Sequence, residues 1–264
     1  MQIIVIAMFV GVGLLAVGEK AEHLRAFVNE GTRLFSYLMM TICRLIPIYV
    51  FTALLRQLWP GGLANWLSLW KPMALSIGLI VLFTSLLLVL TARQLRFPML
   101  QLGRKLLPPT LLAFTTASSI SAFQSSMDTG REKLGIDPSF MQFAYPIGSV
   151  MYMPSSALSL MVLSVYFAQQ YGLAVNLSWL IMASVTASLL AIAVPPLPGS
   201  GILIFGTLFA QLGIPAEALL MTTLMDMVVD NFITGGNIAS LLMELAREAG
   251  QLNIIDREKL TQSR

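Results

Sequence analysis

The stretch MDMVVDNFITGGN, residues 225–237, lies inside the last long apolar run of the chain. It nevertheless holds Asp226, Asp230, Asn237 and a pair of glycines, with no Lys or Arg beside them. At 3.6 residues per turn, Asp226, Asp230, Thr234 and Asn237 fall within about a quarter of a helix circumference, and Leu241 continues the same line. An ionised carboxylate in hydrocarbon costs about 3 kcal/mol or more, so such residues face a cavity or a partner. Whether this stripe is a site or packing depends on the rest of the chain.

Composition identifies the solvent. The chain has 264 residues, of which 56% are hydrophobic and 11% charged; soluble domains carry about a quarter charged residues. Apolar runs cover 1–18, 34–58, 73–92, 139–169, 173–194 and 201–243, and several reach the roughly 20 residues a helix needs to cross a bilayer. The expected fold class is an all-α, multi-pass integral membrane protein. With Gly18–Arg33 taken as a cytoplasmic loop, the chain rises through 34–58, turns at Trp59–Gly62 and descends through 73–92. The basic residues then gather on one side: Arg93, Arg96, Arg104 and Lys105, next Arg131 and Lys133, and finally Arg247, Arg257, Lys259 and Arg264 in the tail. Of sixteen basic residues only Arg56 and Lys71 fall clearly outside. This positive-inside bias accounts for the net charge of +3 without a nucleic-acid partner.

Other classes are excluded by what is scarce. The first apolar run has no charged n-region and no small-residue cleavage pattern before Gly18, so it reads as membrane helix rather than signal peptide. The lone Cys43 forbids an internal disulfide and a thiolate metal site. The single His23 lies among charges outside the membrane, so no Ser/His pair stands at membrane depth and no nucleophile–base pair marks an enzyme.

Residues 1–105 read as ordinary helices joined by short charged or Gly/Pro turns. Residues 106–245 are apolar sequence interrupted at membrane depth by TTASSIS (115–121), YPIGSVMYMPSS (145–156), PPLPGSG (195–201) and ITGGN (233–237); residues 246–264 form a cytoplasmic tail. Irregular backbone at that depth is tolerated only where protein or a watery cavity satisfies it. The order also repeats: a broken hairpin and a broken helix over 106–169, then the same over 173–245 with the opposite starting side. Inverted repeats of discontinuous helices are the architecture of secondary transporters.

The residues then resemble a family. RLIPIYVF (44–51) resembles the APIGVF segment of the fifth helix in dicarboxylate/amino acid:cation symporters, the glutamate transporter family, and residues 1–30 resemble its fourth-to-fifth helix region. AFTTASSIS is similar to the serine-rich tip of that family's first re-entrant hairpin, and YPIGSVMYMPSSAL to its unwound seventh-helix motif GATxNMDGTA. PLPGSG is similar to the second hairpin tip GVPGAG, and DMVVDNFITGGN to the eighth-helix motif DxxxDxxRTxxN. The family's first, scaffold-forming helices have no counterpart in this chain: either it is a fragment, its start is misplaced, or a partner supplies them.

The resemblance implies an inverted-repeat core with two re-entrant helical hairpins, elevator-type alternating access, and a homotrimer if the scaffold is supplied. It places the protein in a membrane, expected here to be a bacterial-type cytoplasmic membrane. The substrate is a small amino acid or dicarboxylate, with Na+ or H+ as coupling ion and no cofactor. Asp230 is expected to accept a substrate ammonium, Thr234 and Asn237 to add polar contacts, and Asp226 to serve as support. Ser118 and Ser119 at the first tip can hold a carboxylate with help from a helix N-terminus, although serines in membrane helices also bond back to their own backbone. Ser156 keeps a hydroxyl at a substrate-contacting position, and Leu197, Pro198, Gly199 and Gly201 form the second tip. Gly148 and Asn237 remain from the cation sites.

Departures from the motifs carry as much information. Tyr152 and Pro154 replace the seventh helix's Asn and Asp, Leu241 replaces the final eighth-helix Asp, and Ile233 replaces its Arg. Loss of that Arg removes the fork that grips a side-chain carboxylate, which favours a small neutral amino acid. Loss of the acids points to eroded cation sites. The competing expectation is a degenerate homologue that binds ligand or a partner without coupled transport.

Overall fold

Inside a bilayer every backbone N–H and C=O must find a partner within the protein, and a helix meets that demand within one segment. A computed structural model of the chain describes residues 10–11, 13–14, 17–43, 46–193 and 201–261. Among these residues the regular elements are all helices, with one isolated antiparallel bridge between Ile136 and Ile255. The chain divides into two compact units, residues 1–56 and 57–264.

In the first unit a 3-10 turn, Gly18–Ala21, leads into α1 (Glu22–Cys43). The loop expected over Gly18–Arg33 is therefore helical, with Leu24, Phe27 and Val28 at helical spacing on an exposed face. Arg25 Nη2 donates to the Leu14 carbonyl at 3.0 Å. α2 (Ile46–Leu95) continues through Trp59–Gly62, where Pro60 and two glycines predict a turn. Such residues are tolerated inside membrane helices. The membrane-length part of α2 is Leu69–Leu95, 27 residues.

The second unit carries the interrupted elements. α3 (Met99–Thr116) ends where Ala117 turns left-handed at φ 47°. Ser118 then caps α4 (Ser119–Asp128), its Oγ accepting the Ser121 N–H at 3.3 Å. The 10 residues of α4 rise only about 15 Å, half the apolar thickness of a bilayer, and α4 packs back against α3. A π-helical turn, Thr129–Lys133, leads to α5 (Pro138–Met151), whose first turn is capped by Asp137 Oδ1 accepting from the Ser139 and Phe140 N–H groups. After a break at Tyr152–Met153 come α6 (Pro154–Gln170), α7 (Leu177–Ala193), α8 (Gly201–Leu212), α9 (Ala218–Gln251) and the short α10 (Arg257–Thr261).

The first two expected interruptions are therefore present, at Ala117–Ser118 and Tyr152–Met153. The third, with Leu197, Pro198 and Gly199, lies outside the described residues. The fourth is absent: α9 runs unbroken through ITGGN. The glycines there serve close approach instead of a break. A Cβ on Gly235 would lie 3.3 Å from Phe114 Cβ and 3.4 Å from the Thr110 carbonyl oxygen. One on Gly236 would lie 2.5 Å from Ser155 Oγ and 2.8 Å from Ile80 Cγ2. α9 can touch α3 on one side, and α2 and α6 on the other, only because both positions lack a side chain.

The end of α9 and the tail are knitted to the base of the first hairpin. Leu102, Leu106, Leu134, Met141, Leu242 and Leu260 share one buried cluster. Around it, Asp137 N–H donates to the Ile254 carbonyl at 3.1 Å and Asp256 N–H to the Gly135 carbonyl at 2.7 Å. Buried Lys105 donates through Nζ to the carbonyls of Lys133 and Leu260 at 2.8 Å and of Lys259 at 3.3 Å. Burial, with the Lys133 ammonium nearby, holds the Lys105 amine below the usual lysine range. Elsewhere the surface is apolar: in the most apolar window of Leu69–Leu95 only 17% of residues are buried within the chain. A face of that kind belongs against lipid or further protein.

Candidate functional site

α9 positions the polar stripe. Asp226 sits against the start of α8, so closely that a Cβ on Gly201 would overlap its Oδ2. One turn on, Asp230 is half-buried and has the Thr234 hydroxyl within side-chain hydrogen-bonding reach. The two carboxylates are near enough to interact electrostatically. No ion pair among the described residues involves either acid; the one present joins Arg247 to Glu244 at 2.7 Å. Two acids in an apolar setting with no cation paired to them among the described residues suit a cationic group brought by a ligand.

Two turns beyond Asp230, Asn237 reaches the α5–α6 break. A helix start leaves backbone N–H groups without partners, and Met153 offers no side-chain cap to α6. Asn237 Oδ1 supplies one from 82 positions away, accepting the Ser155 N–H at 2.9 Å. Its Nδ2 donates to Ser156 Oγ at 2.9 Å and approaches Met153 Sδ at 3.3 Å. Ser156 thus accepts from Asn237 and retains its own O–H as a donor.

The remaining expected residues are placed less directly. Ser118 is occupied in capping α4, and Ser119 is half-buried with no side-chain hydrogen bond to a described residue. No hydrogen bond joins either serine to the Asp230 stripe. The Gly148 carbonyl accepts the Tyr152 N–H at 2.8 Å. A Cβ on Gly148 would come 2.5 Å from Leu241 Cδ1, so leucine methyls fill the space between α5 and α9. Ile233 packs with Ile80 and Val229 on the face turned to α2.

Sequence reasoning assigned no role to Asn231 or Ser155. Asn231 Nδ2 donates to the Phe114 carbonyl at 2.7 Å, closing one of the open carbonyls at the end of α3 just before the hairpin tip. The signal for it was its place: an amide four residues before Gly235, on the same face of α9. Ser155 Oγ is buried without a hydrogen-bond partner among the described residues, and it touches Gly236.

The model of the sodium:dicarboxylate symporter family matches residues 1–243. The chain belongs to the sodium:dicarboxylate symporter family. Its members are transporters of the membrane, not enzymes. Among relatives, the chain is 22% identical over 248 residues to a proton/sodium-glutamate symport protein of Bacillus subtilis, covering 92% of this chain and 58% of that protein. It is 23% identical over 240 residues to an excitatory amino acid transporter of Caenorhabditis elegans, covering 89% of this chain and 48% of that protein. Over 128 residues it is 26% identical to human excitatory amino acid transporter 2, covering 48% of this chain and 22% of that protein. The symporter-family chain thus spans about half to three-fifths of the length of the first two relatives.

Proposed function

We propose that this chain is the substrate-handling part of a secondary active carrier for a small amino acid, working by elevator-type alternating access. Residues 106–245 act as the transport core, 1–105 as scaffold and core helices, and the working assembly is a homotrimer. The observation that carries this reading is the α9 stripe: two acids with no ion pair among the described residues, continued by Thr234 and by Asn237 bonded to Ser156 at the helix break. In that arrangement Asp230 receives the substrate ammonium. The O–H of Ser156 donates to the substrate's carboxylate, assisted by the hairpin tips at Ser118–Ser119 and Leu197–Gly199.

Substrate class follows from what the stripe lacks. Relatives are named as glutamate symporters, and a second carboxylate needs a cation to meet it. Ile233 is instead packed against Ile80 and Val229, which supports a neutral amino acid over a dicarboxylate. Coupling to Na+ or H+ is weakened by the same logic: Leu241 fills the space beside Gly148, and the Gly148 carbonyl is already engaged.

Uptake into liposomes, with and without a Na+ or proton gradient, tests this. Accumulation of a neutral amino acid, lost in Asp230→Asn and kept in Asp226→Asn, is the expected result. Tight dicarboxylate binding with no response to neutral amino acids overturns the substrate class. Ligand binding without any uptake supports the second reading, a degenerate homologue, which the leucine-filled Gly148 site favours.

A further inference from the structure

A cationic cleft lies well away from the stripe, where α2 gives way to α3. It measures about 520 Å³ and is lined by Val89, Arg93, Arg96, Phe97, Pro98 and Met99. Both arginines are exposed, and neither guanidinium makes a hydrogen bond or ion pair with a described residue. No acidic residue occurs anywhere between Glu30 and Asp128, so the local charge is not offset along this stretch of chain.

The backbone at the cleft is unusual. Phe97 N–H donates to the Ala92 carbonyl at 2.9 Å and Arg96 N–H to the Arg93 carbonyl at 3.2 Å, closing α2 in a tight C-terminal turn. Glycine is the usual residue for the left-handed position of such a turn. Here Arg96 occupies it, at φ 51°. A long charged side chain held in a disfavoured conformation, with no partner among the described residues, indicates a role outside the fold.

The cleft is also the end of an apolar track. Leu82, Leu86 and Leu90 are 63%, 55% and 42% exposed at helical spacing along α2, and Arg93 follows on the same side. Basic residues at the end of a membrane span meet the headgroup layer, where each contributes about fivefold to the affinity for anionic lipid.

We propose that the α2–α3 turn binds one anionic phospholipid, its phosphate held by Arg93 and Arg96 and an acyl chain lying along Leu82, Leu86 and Leu90. The leucine track is what selects a lipid over free phosphate.

Lipid binding to the purified, delipidated chain tests this, with phosphatidylglycerol, phosphatidylcholine and inorganic phosphate as probes. Phosphatidylglycerol should bind, with affinity falling about fivefold in R96G and about thirtyfold in R93Q/R96G. R96G should melt no lower than the parent, since glycine suits the left-handed position. K259Q, which removes an exposed charge elsewhere on the same side, should leave binding unchanged. Equal binding of phosphatidylcholine, equal protection by inorganic phosphate, or an equal loss in K259Q overturns the proposal.

Discussion

Asn237 Nδ2 stands 2.9 Å from Ser156 Oγ while the oxygen of the same amide holds the Ser155 N–H at 2.9 Å. One side chain of α9 therefore both caps α6 and orients the hydroxyl next to that cap.

Asn237→Ala should cost about 1–3 kcal/mol, because it leaves the Ser155 N–H buried and unpaired. Ser156→Ala should cost less, since Nδ2 keeps its approach to Met153 Sδ. Thermal unfolding of the two purified variants checks the order; equal losses would show that the bond to the Ser156 hydroxyl matters as much as the backbone cap.

Gly236→Ala should destabilise by about 1–3 kcal/mol through overpacking against Ser155 Oγ and Ile80. Adding Ser155→Ala should recover part of that loss, because the removed hydroxyl has no partner among the described residues. Gly235→Ala, whose nearest contacts are 3.3–3.4 Å, should be milder. A double-mutant cycle between positions 155 and 236 gives the coupling directly.

Ala117→Gly should stabilise the first hairpin by about 1 kcal/mol, since alanine is disfavoured in the left-handed conformation that glycine adopts freely. Amide exchange across 112–122 should slow. Unchanged or faster exchange would mean that Ala117 carries no strain.

Lys105→Met should loosen the tail, because three backbone carbonyls lose the ammonium that joins them. Proteolysis within 252–261 should accelerate, and Lys105→Arg should restore part of the protection. Protection unchanged in Lys105→Met would assign the docking to Leu260 and the apolar cluster alone.

Much of this was legible in the sequence. Pro154 after Tyr152–Met153 and the serines at 118–119 mark real interruptions, because proline and capping residues act through local backbone chemistry. The stripe of Asp226, Asp230, Thr234 and Asn237 was legible for the same reason, as helical spacing is local. ITGGN misled because a glycine pair means either a break or a close approach, and only the neighbours decide. Phe114, Ser155 and Ile80 decide it here, and each lies far away in sequence. The tail was equally opaque: nothing in residues 252–260 announces that Lys105 waits for their carbonyls.

The continuity of α9 has a mechanical consequence. Its 34 residues, Ala218–Gln251, span about 51 Å at 1.5 Å per residue, and the part from Asp226 to its end about 38 Å. A hinge at Gly235–Gly236 would have absorbed a push at Asp230 locally. No such joint occurs here: Asp230, where substrate is proposed, and Arg247, whose Nε bonds Gln94 at 3.0 Å, lie on one continuous helix. Reporter groups at that far end should register ligand occupancy although no ligand atom comes near them.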